Sequence, residues 1–299
     1  MNVVITGSSG LIGSALVPLL TRSGHTIRRL VRGARDAGAA RWNPDDGSLD
    51  ASALADADAV VHLAGETIAA GRWTAAKKAR IQNSRVRGTT LLTRALVERD
   101  RQPTVFISAS AVGIYGDRGD EVIDERSGPG HGFLAEVCSQ WEAATRPAAD
   151  AGIRVVNCRM GVVLSGTGGA LAKMLPPFRL GFGGNIGSGR QYMSWIALDD
   201  VVGAIQHLMF AKTVAGPVNV VAPTPVSNTD FTKTLGRVLR RPTRLRLPAF
   251  AVRLGLGEVA DELLLASTRV LPARLTASGY QFRYPTLEGA LRHALTAGR

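Results

Sequence analysis

Cysteine is nearly absent from the chain. Two residues, Cys138 and Cys158, stand among 299, too few for a disulfide framework or a four-thiolate zinc site. No uncharged apolar run approaches the roughly 20 residues that cross a bilayer. The amino end has no basic stretch and no cleavage site, and it opens on the strand-like Met1-Asn2-Val3-Val4-Ile5. These absences predict a cytoplasmic protein with no membrane partner. The five histidines, His25, His62, His131, His207 and His293, show no metal-ligand spacing, so no metal is expected. Neither a G-x-S-x-G elbow nor a P-loop lysine motif occurs. Lysine is scarce, with 5 Lys against 31 Arg, a bias that GC-rich codons produce without any function. The net charge is +12, of which residues 226–299 carry +7 (12 basic, 5 acidic). No aromatic-interleaved basic stripe accompanies it, so it reads as a solvated surface and no nucleic-acid partner is expected.

What is present is a globular balance, 45% hydrophobic and 20% charged, which excludes disorder. The first half alternates strand and helix signals. Strands are predicted at Val3–Ile5, Thr26–Val31, Ala59–Ala64, Thr104–Ser108 and Arg154–Arg159. Helices are predicted at Leu11–Leu20, Lys77–Leu96 and Leu134–Asp150. The near-continuous apolar strands suit a sheet covered on both faces. The fold class is therefore α/β, a Rossmann-type doubly wound parallel sheet. After Val163 the rhythm changes to a Gly-rich stretch with Pro176-Pro177 and one short helix, Ala170–Leu175. A helix at Asp199–Phe210 and a strand at Pro217–Val221 return, and helical pattern follows from Asn228. The expected division is a dinucleotide-binding domain at 1–164 and 187–224. A smaller, mainly helical lobe would take 165–186 and 225–299.

The strongest local signal is Thr6-Gly7-Ser8-Ser9-Gly10-Leu11-Ile12-Gly13, a G-x-x-G-x-x-G between strand and helix. A pyrophosphate needs a turn free of side chains, so that backbone N–H groups and the helix N-terminus face the anion. Gly7 makes the turn, Gly10 permits close approach, and Gly13 lets the helix sit on the sheet. Ser9, Leu11 and Ile12 offer their amides. The second strand ends at Val31-Arg32, where a carboxylate would bind the ribose of NAD. Arg32 and Arg35 instead suit a 2′-phosphate, so NADP (NADPH) is the expected cofactor.

These residues resemble the extended short-chain dehydrogenase/reductase superfamily, the NAD(P)-dependent epimerase/dehydratase group. Further matches are His62-Leu63-Ala64-Gly65, Gly88-Thr89, Ser108-Ala109-Ser110, Tyr115-Gly116, Asp199-Asp200-Val201 and Asn219-Val220. The resemblance implies that Leu63, Ala64, Gly65 and Ser108 also line the cofactor. The chain is more specifically similar to an atypical branch called epimerase family proteins, which carry a C-terminal domain of unknown function. Its marks stand along nearly the whole chain, among them Gly71-Arg72-Trp73-Thr74, Ser84-Arg85-Val86, Trp141-Glu142-Ala143-Ala144, Gly187-Ser188-Gly189, Ser194-Trp195-Ile196 and Leu271-Pro272. Ala197 departs from the His expected after Trp195-Ile196.

The superfamily's chemistry uses a Tyr, and a Lys four residues later, with a Ser and an Asn. By the resemblance, the Tyr and Lys positions fall on Leu134 and Cys138, and the Asn on Arg85. Ser110 is the candidate catalytic hydroxyl, holding a substrate oxygen or else capping local backbone. Tyr115 is a candidate acid, Glu66 a candidate base, and Cys138 reads as a buried, inert thiol. Trp73, Tyr192, Met193 and Trp195 either line a pocket or anchor packing. Leu134 and Cys138, four apart, should share the helix face toward the nicotinamide and make it an apolar wall. The expected function is NADP(H)-dependent epimerase/dehydratase-like or reductase-like chemistry on an unknown small molecule. The alternative is a non-catalytic NADP(H)-binding sensor or scaffold.

Overall fold

A computed structural model describes residues 1–33, 39–69 and 71–296. Eight strands form one sheet: β1 (Asn2–Thr6), β2 (Thr26–Val31), β3 (Ala39–Asn43), β4 (Ser48–Leu49), β5 (Ala59–His62), β6 (Val105–Ala111), β7 (Arg154–Met160) and β8 (Gly216–Val220). Their spatial order is β8-β7-β6-β5-β1-β2-β3-β4. Every pair is parallel except β3 with β4. The doubly wound α/β class expected from the sequence is therefore the observed one. The winding direction reverses between β1 and β5, and open α/β sheets bind ligands at the carboxyl end of such a switch point. The glycine turn leaves β1 there.

Neighbouring residues along the strands feed different layers. Val3, Ile5 and Ile107 pack with Leu16 and Leu20 of α1 (Leu11–Arg22) and with Val201 and Ile205 of the helix Leu198–Phe210. Val4, Val60 and Phe106 pack with Leu92 and Leu96 of α2 (Ala75–Val97). Burying side chains of this size contributes about 1.5–3 kcal/mol each. A third apolar cluster joins Leu171, Leu175 and Phe178 of the helix Gly169–Arg179 to Phe231, Leu235, Leu287 and Leu291. Asp200, at the start of the helix Leu198–Phe210, is fully buried. It accepts from the N–H groups of Arg283 (2.7 Å) and Tyr284 (2.9 Å) and from the Tyr280 hydroxyl (3.1 Å).

Two differences from the sequence pattern have local causes. β3 and β4 are not foreshadowed, because Ala39–Asn43 offers one large apolar residue, Trp42. That ring packs on Gly88 of α2, where a Cβ would stand 3.1 Å from it. The expected helix Leu134–Asp150 is two helices, α3 (Phe133–Ala143) and α4 (Arg146–Asp150). Thr145 Oγ1 donates to the Glu142 carbonyl at 2.7 Å, and Pro147 has no N–H to continue the ladder.

Candidate cofactor and active site

Gly7 has φ +69°, and a Cβ on it would lie 2.7 Å from Ala64 N and Leu63 C. A Cβ on Gly13 would run into the Gly7 carbonyl oxygen. The two glycines thus let the β1 turn, the start of α1 and the Leu63-Ala64-Gly65 segment close on one another. Gly10 donates to Gly7 O at 3.0 Å, and Ser9 and Gly10 are exposed. No side chain caps α1, and its first turn holds no acid. Among the described residues the N–H groups of Leu11, Ile12 and Gly13 meet no acceptor. An uncapped helix start facing a side-chain-free turn fits the pyrophosphate of a dinucleotide.

Beneath the turn lies a buried relay. Ala64 N donates to Thr6 Oγ1 (3.3 Å), Thr6 Oγ1 meets His62 Nδ1 (2.6 Å), and His62 Nε2 meets Thr89 Oγ1 (3.0 Å). Each ring nitrogen faces a hydroxyl that can donate or accept, so either neutral tautomer is satisfied. Burial pushes the His62 pKa down to about 4, so the ring stays neutral and pins β1 to β5. Ser108, expected at the cofactor, pairs in register with His62 and is fully buried, because β6 runs on to Ala111.

Arg32 lies exposed just past β2; Arg35 lies outside the described residues. Glu66 is not a free base. Its carboxylate pairs with Lys77 Nζ at 2.5 Å, and its N–H donates to Ser84 Oγ at 3.0 Å. The Lys77 hydrogen bond, with lesser help from Arg80 and Arg32, holds the Glu66 carboxyl below its ordinary pKa.

On the other side, Leu134 and Cys138 share the face of α3 that packs on the turn Val112–Tyr115. A Cβ on Gly113 would stand 3.3 Å from Leu134 Cβ, and Cys138 clusters with Ile114, Tyr115 and Val221. Burial pushes the Cys138 thiol up to about 12, as an inert cysteine should behave. Ser110 is buried, and its hydroxyl donates to Glu142 Oε1 at 2.7 Å. The same carboxylate takes two bonds of 2.8 Å from Arg159, one to each oxygen. Arg159 Nη1 donates to the Tyr115 hydroxyl (2.9 Å), which donates to Asn219 Oδ1 (2.8 Å). Ser110 and Tyr115 are therefore members of one internal network that ties β6, β7, β8 and α3 together. Arg159, Glu142 and Asn219 were not singled out from the sequence as partners, since they lie 17 to 104 residues from the groups they meet.

Glu262 is a further residue the sequence pattern does not flag. It accepts from the N–H groups of Phe133 (2.9 Å) and Leu134 (3.2 Å), capping α3 from the far end of the chain. Of the candidate pocket residues, Trp195 is fully buried with its Nε1 on Thr224 O (2.9 Å), a packing anchor. Trp73 stands edge-on to Phe133 at 5.1 Å, and Tyr192 lies under the Arg269 guanidinium at 4.7 Å. Met193 packs against the third cluster. Ala197, buried, precedes the helix Leu198–Phe210 as its N-cap.

Comparison with known proteins gives this geometry a family. Residues 3–221 match the NAD dependent epimerase/dehydratase family, and residues 247–294 match a domain of unknown function (DUF1731). Epimerase family protein Mb2239 of Mycobacterium bovis is 48% identical over 295 residues, 98% of this chain and 97% of the relative. The crystal structure of human epimerase family protein SDR39U1 (isoform 2) with NADPH superposes with a TM-score of 0.90 at 35% identity, covering 99% of both chains. The nucleoside-diphosphate sugar epimerase from Corynebacterium glutamicum gives 0.81 at 42% identity. That match covers 99% of this chain and 58% of that one. With the glycine turn at the switch point, and with the Mycobacterium bovis and human relatives matched over nearly their whole length, the chain belongs to the NAD-dependent epimerase/dehydratase family, in the epimerase family protein branch.

Proposed function

We propose that the protein binds NADP(H) and uses it in epimerase/dehydratase-like or reductase-like chemistry on a small molecule. The observation that carries this reading is the uncapped start of α1 packed through Gly7 and Gly13 onto Leu63-Ala64-Gly65. Leu11, Ile12 and Gly13 present N–H groups to the pyrophosphate, and Gly10 and Ser9 leave the approach open. Arg32 takes the 2′-phosphate at the end of β2, where a carboxylate would repel it. The NADPH in the human relative's crystal structure supports the phosphorylated form of the cofactor. Bound there, the dinucleotide supplies hydride exchange at its nicotinamide.

The rest of the chemistry departs from the usual pair. None of Tyr115, Tyr192, Tyr280 and Tyr284 is followed four residues later by Lys. Leu134 and Cys138 stand apolar and inert where the usual pair would titrate, packed on the Val112–Tyr115 turn. The Ser110 hydroxyl hydrogen is committed to Glu142, itself held by Arg159. A second reading, a non-catalytic NADP(H) sensor or scaffold, is favoured by this same engagement of Ser110 and Tyr115.

Tryptophan-fluorescence titration with NADPH and NADH tests the cofactor. NADPH should bind the more tightly, and Arg32→Ala should cost about tenfold for NADPH alone, the scale of one charge-assisted hydrogen bond. Equal affinities for the two cofactors refute the reading. Oxidation of NADPH against a set of carbonyl compounds then separates enzyme from sensor.

A further inference from the structure

Arg85, on α2, occupies the place that the resemblance gives to an asparagine. Its guanidinium lies against the Gly65 backbone, where a Cβ would stand 3.4 Å from Cζ and 3.5 Å from Nη2. The Trp141 ring lies 5.1 Å from Cζ. One nitrogen, Nη1, donates to the carbonyls of Glu66 (3.0 Å) and Ile81 (3.1 Å). Among the described residues Nε and Nη2 donate to nothing. The residue as a whole is half-buried. The side chain is thus fixed at one nitrogen and unpartnered at the other two, beside a glycine of the segment the resemblance gives to the cofactor.

The charge on this group has no carboxylate of its own: it faces the Trp141 ring and two carbonyls, and feels Glu66 only at a distance. Glu66 gives its carboxylate to Lys77, and Glu142 gives its own to Arg159 and Ser110. The Cys138 thiol beside Arg85 stays protonated. Burial already disfavours the Arg85 cation, so an electron-rich ligand at its free edge is strongly rewarded. A guanidinium offers parallel N–H donors and no acceptor, which matches paired oxygens.

We infer that Arg85 binds the nicotinamide ribosyl half of the dinucleotide, its Nε and Nη2 donating to the oxygens of that half. The inference rests on the NADP(H) reading above. It makes Arg85 the fixed cation of the site, held on α2 while α3 presents Leu134 and Cys138. The cation is thereby moved from one helix to its neighbour, and the wall opposite stays apolar.

The test compares NADPH with 2′,5′-ADP, which has the 2′-phosphate but lacks the nicotinamide half. Titrations use the wild-type chain, Arg85→Met, Arg85→Gln (which keeps a donor for the two carbonyls) and Arg32→Ala. Both Arg85 variants should lose at least about tenfold in NADPH affinity and keep wild-type affinity for 2′,5′-ADP. Arg32→Ala should weaken both ligands. Unchanged NADPH binding in the Arg85 variants overturns the inference and leaves the cofactor reading standing. Equal losses for both ligands overturn it as well, since Arg85 would then serve the fold. If the wild-type chain binds neither ligand, the cofactor reading falls and this inference with it.

Discussion

The two halves of the sheet's carboxyl edge are built in opposite ways. Around β1, β2 and β5, among the described residues, donors are left without hydrogen-bond acceptors: the first amides of α1, the exposed Arg32, and two nitrogens of Arg85. Around β6, β7, β8 and α3 the polar groups answer one another, in the chain Ser110–Glu142–Arg159–Tyr115–Asn219. A ligand site has to keep donors free, because a hydrogen bond already made inside the protein contributes nothing to binding. The first half therefore fits the binding surface proposed above. The second is a brace, and it keeps its shape by using up the hydroxyls that the resemblance would assign to chemistry.

The largest effect that would break this contrast lies in the brace. Arg159→Met leaves the Glu142 carboxylate buried beside one hydroxyl, and should cost about 3–5 kcal/mol of stability. Ser110→Ala removes one neutral donor and should cost about 1 kcal/mol. Urea denaturation of both variants measures the difference. If the serine variant proves the costlier, Ser110 and not Arg159 is the centre of the network.

Next in size is the relay under the binding half. His62 has a folded pKa of about 4 against an ordinary 6.5, so the unfolded chain takes up the proton first as pH falls. Its stabilising contribution is full above pH 6.5, declines as pH drops toward 4, and totals about 3 kcal/mol. Thermal melts from pH 7.5 to 4 should show this decline, and His62→Asn should flatten it. An unchanged slope in the variant would place the acid sensitivity in another group.

The smallest expected effect is none at all. Cys138 and Cys158 are both buried, with thiols pushed up to about 12. Folded protein at pH 8 should leave both unmodified by iodoacetamide over hours, and unfolded protein should lose both thiols within minutes. Rapid labelling of Cys138 in the folded chain would show α3 opening at the wall it forms with Leu134.

The same contrast explains what could be read from the sequence. The glycine turn was legible because its constraint is local: strand, three glycines and helix fall within a dozen residues. The parallel core was legible from runs such as Ala59-Val60-Val61, apolar on both faces. The brace was not, because Ser110 meets Glu142 32 residues on and Tyr115 meets Asn219 104 residues on. No spacing rule links residues that only the sheet order brings together. Arg85 stood in view as a departure from the relatives, but its free edge follows from where Lys77 and Arg159 direct their own charges. β3 escaped because its single large apolar residue, Trp42, finds its counterpart in a helical glycine rather than in the strand's own alternation.

Asp200 sets the order in which the molecule can be finished. A ribosome releases the helix Leu198–Phe210 well before it makes Tyr280, Arg283 and Tyr284, the groups that satisfy this carboxylate. Until they arrive, seating the helix would bury a bare negative charge, which is strongly unfavourable. The nascent chain can pair β1 to β7 and cover the α2 face, yet the α1 face stays ajar through some 80 further residues of synthesis. Closure of that face is therefore expected late in translation, and a chain cut short before Tyr280 should leave its apolar side uncovered there.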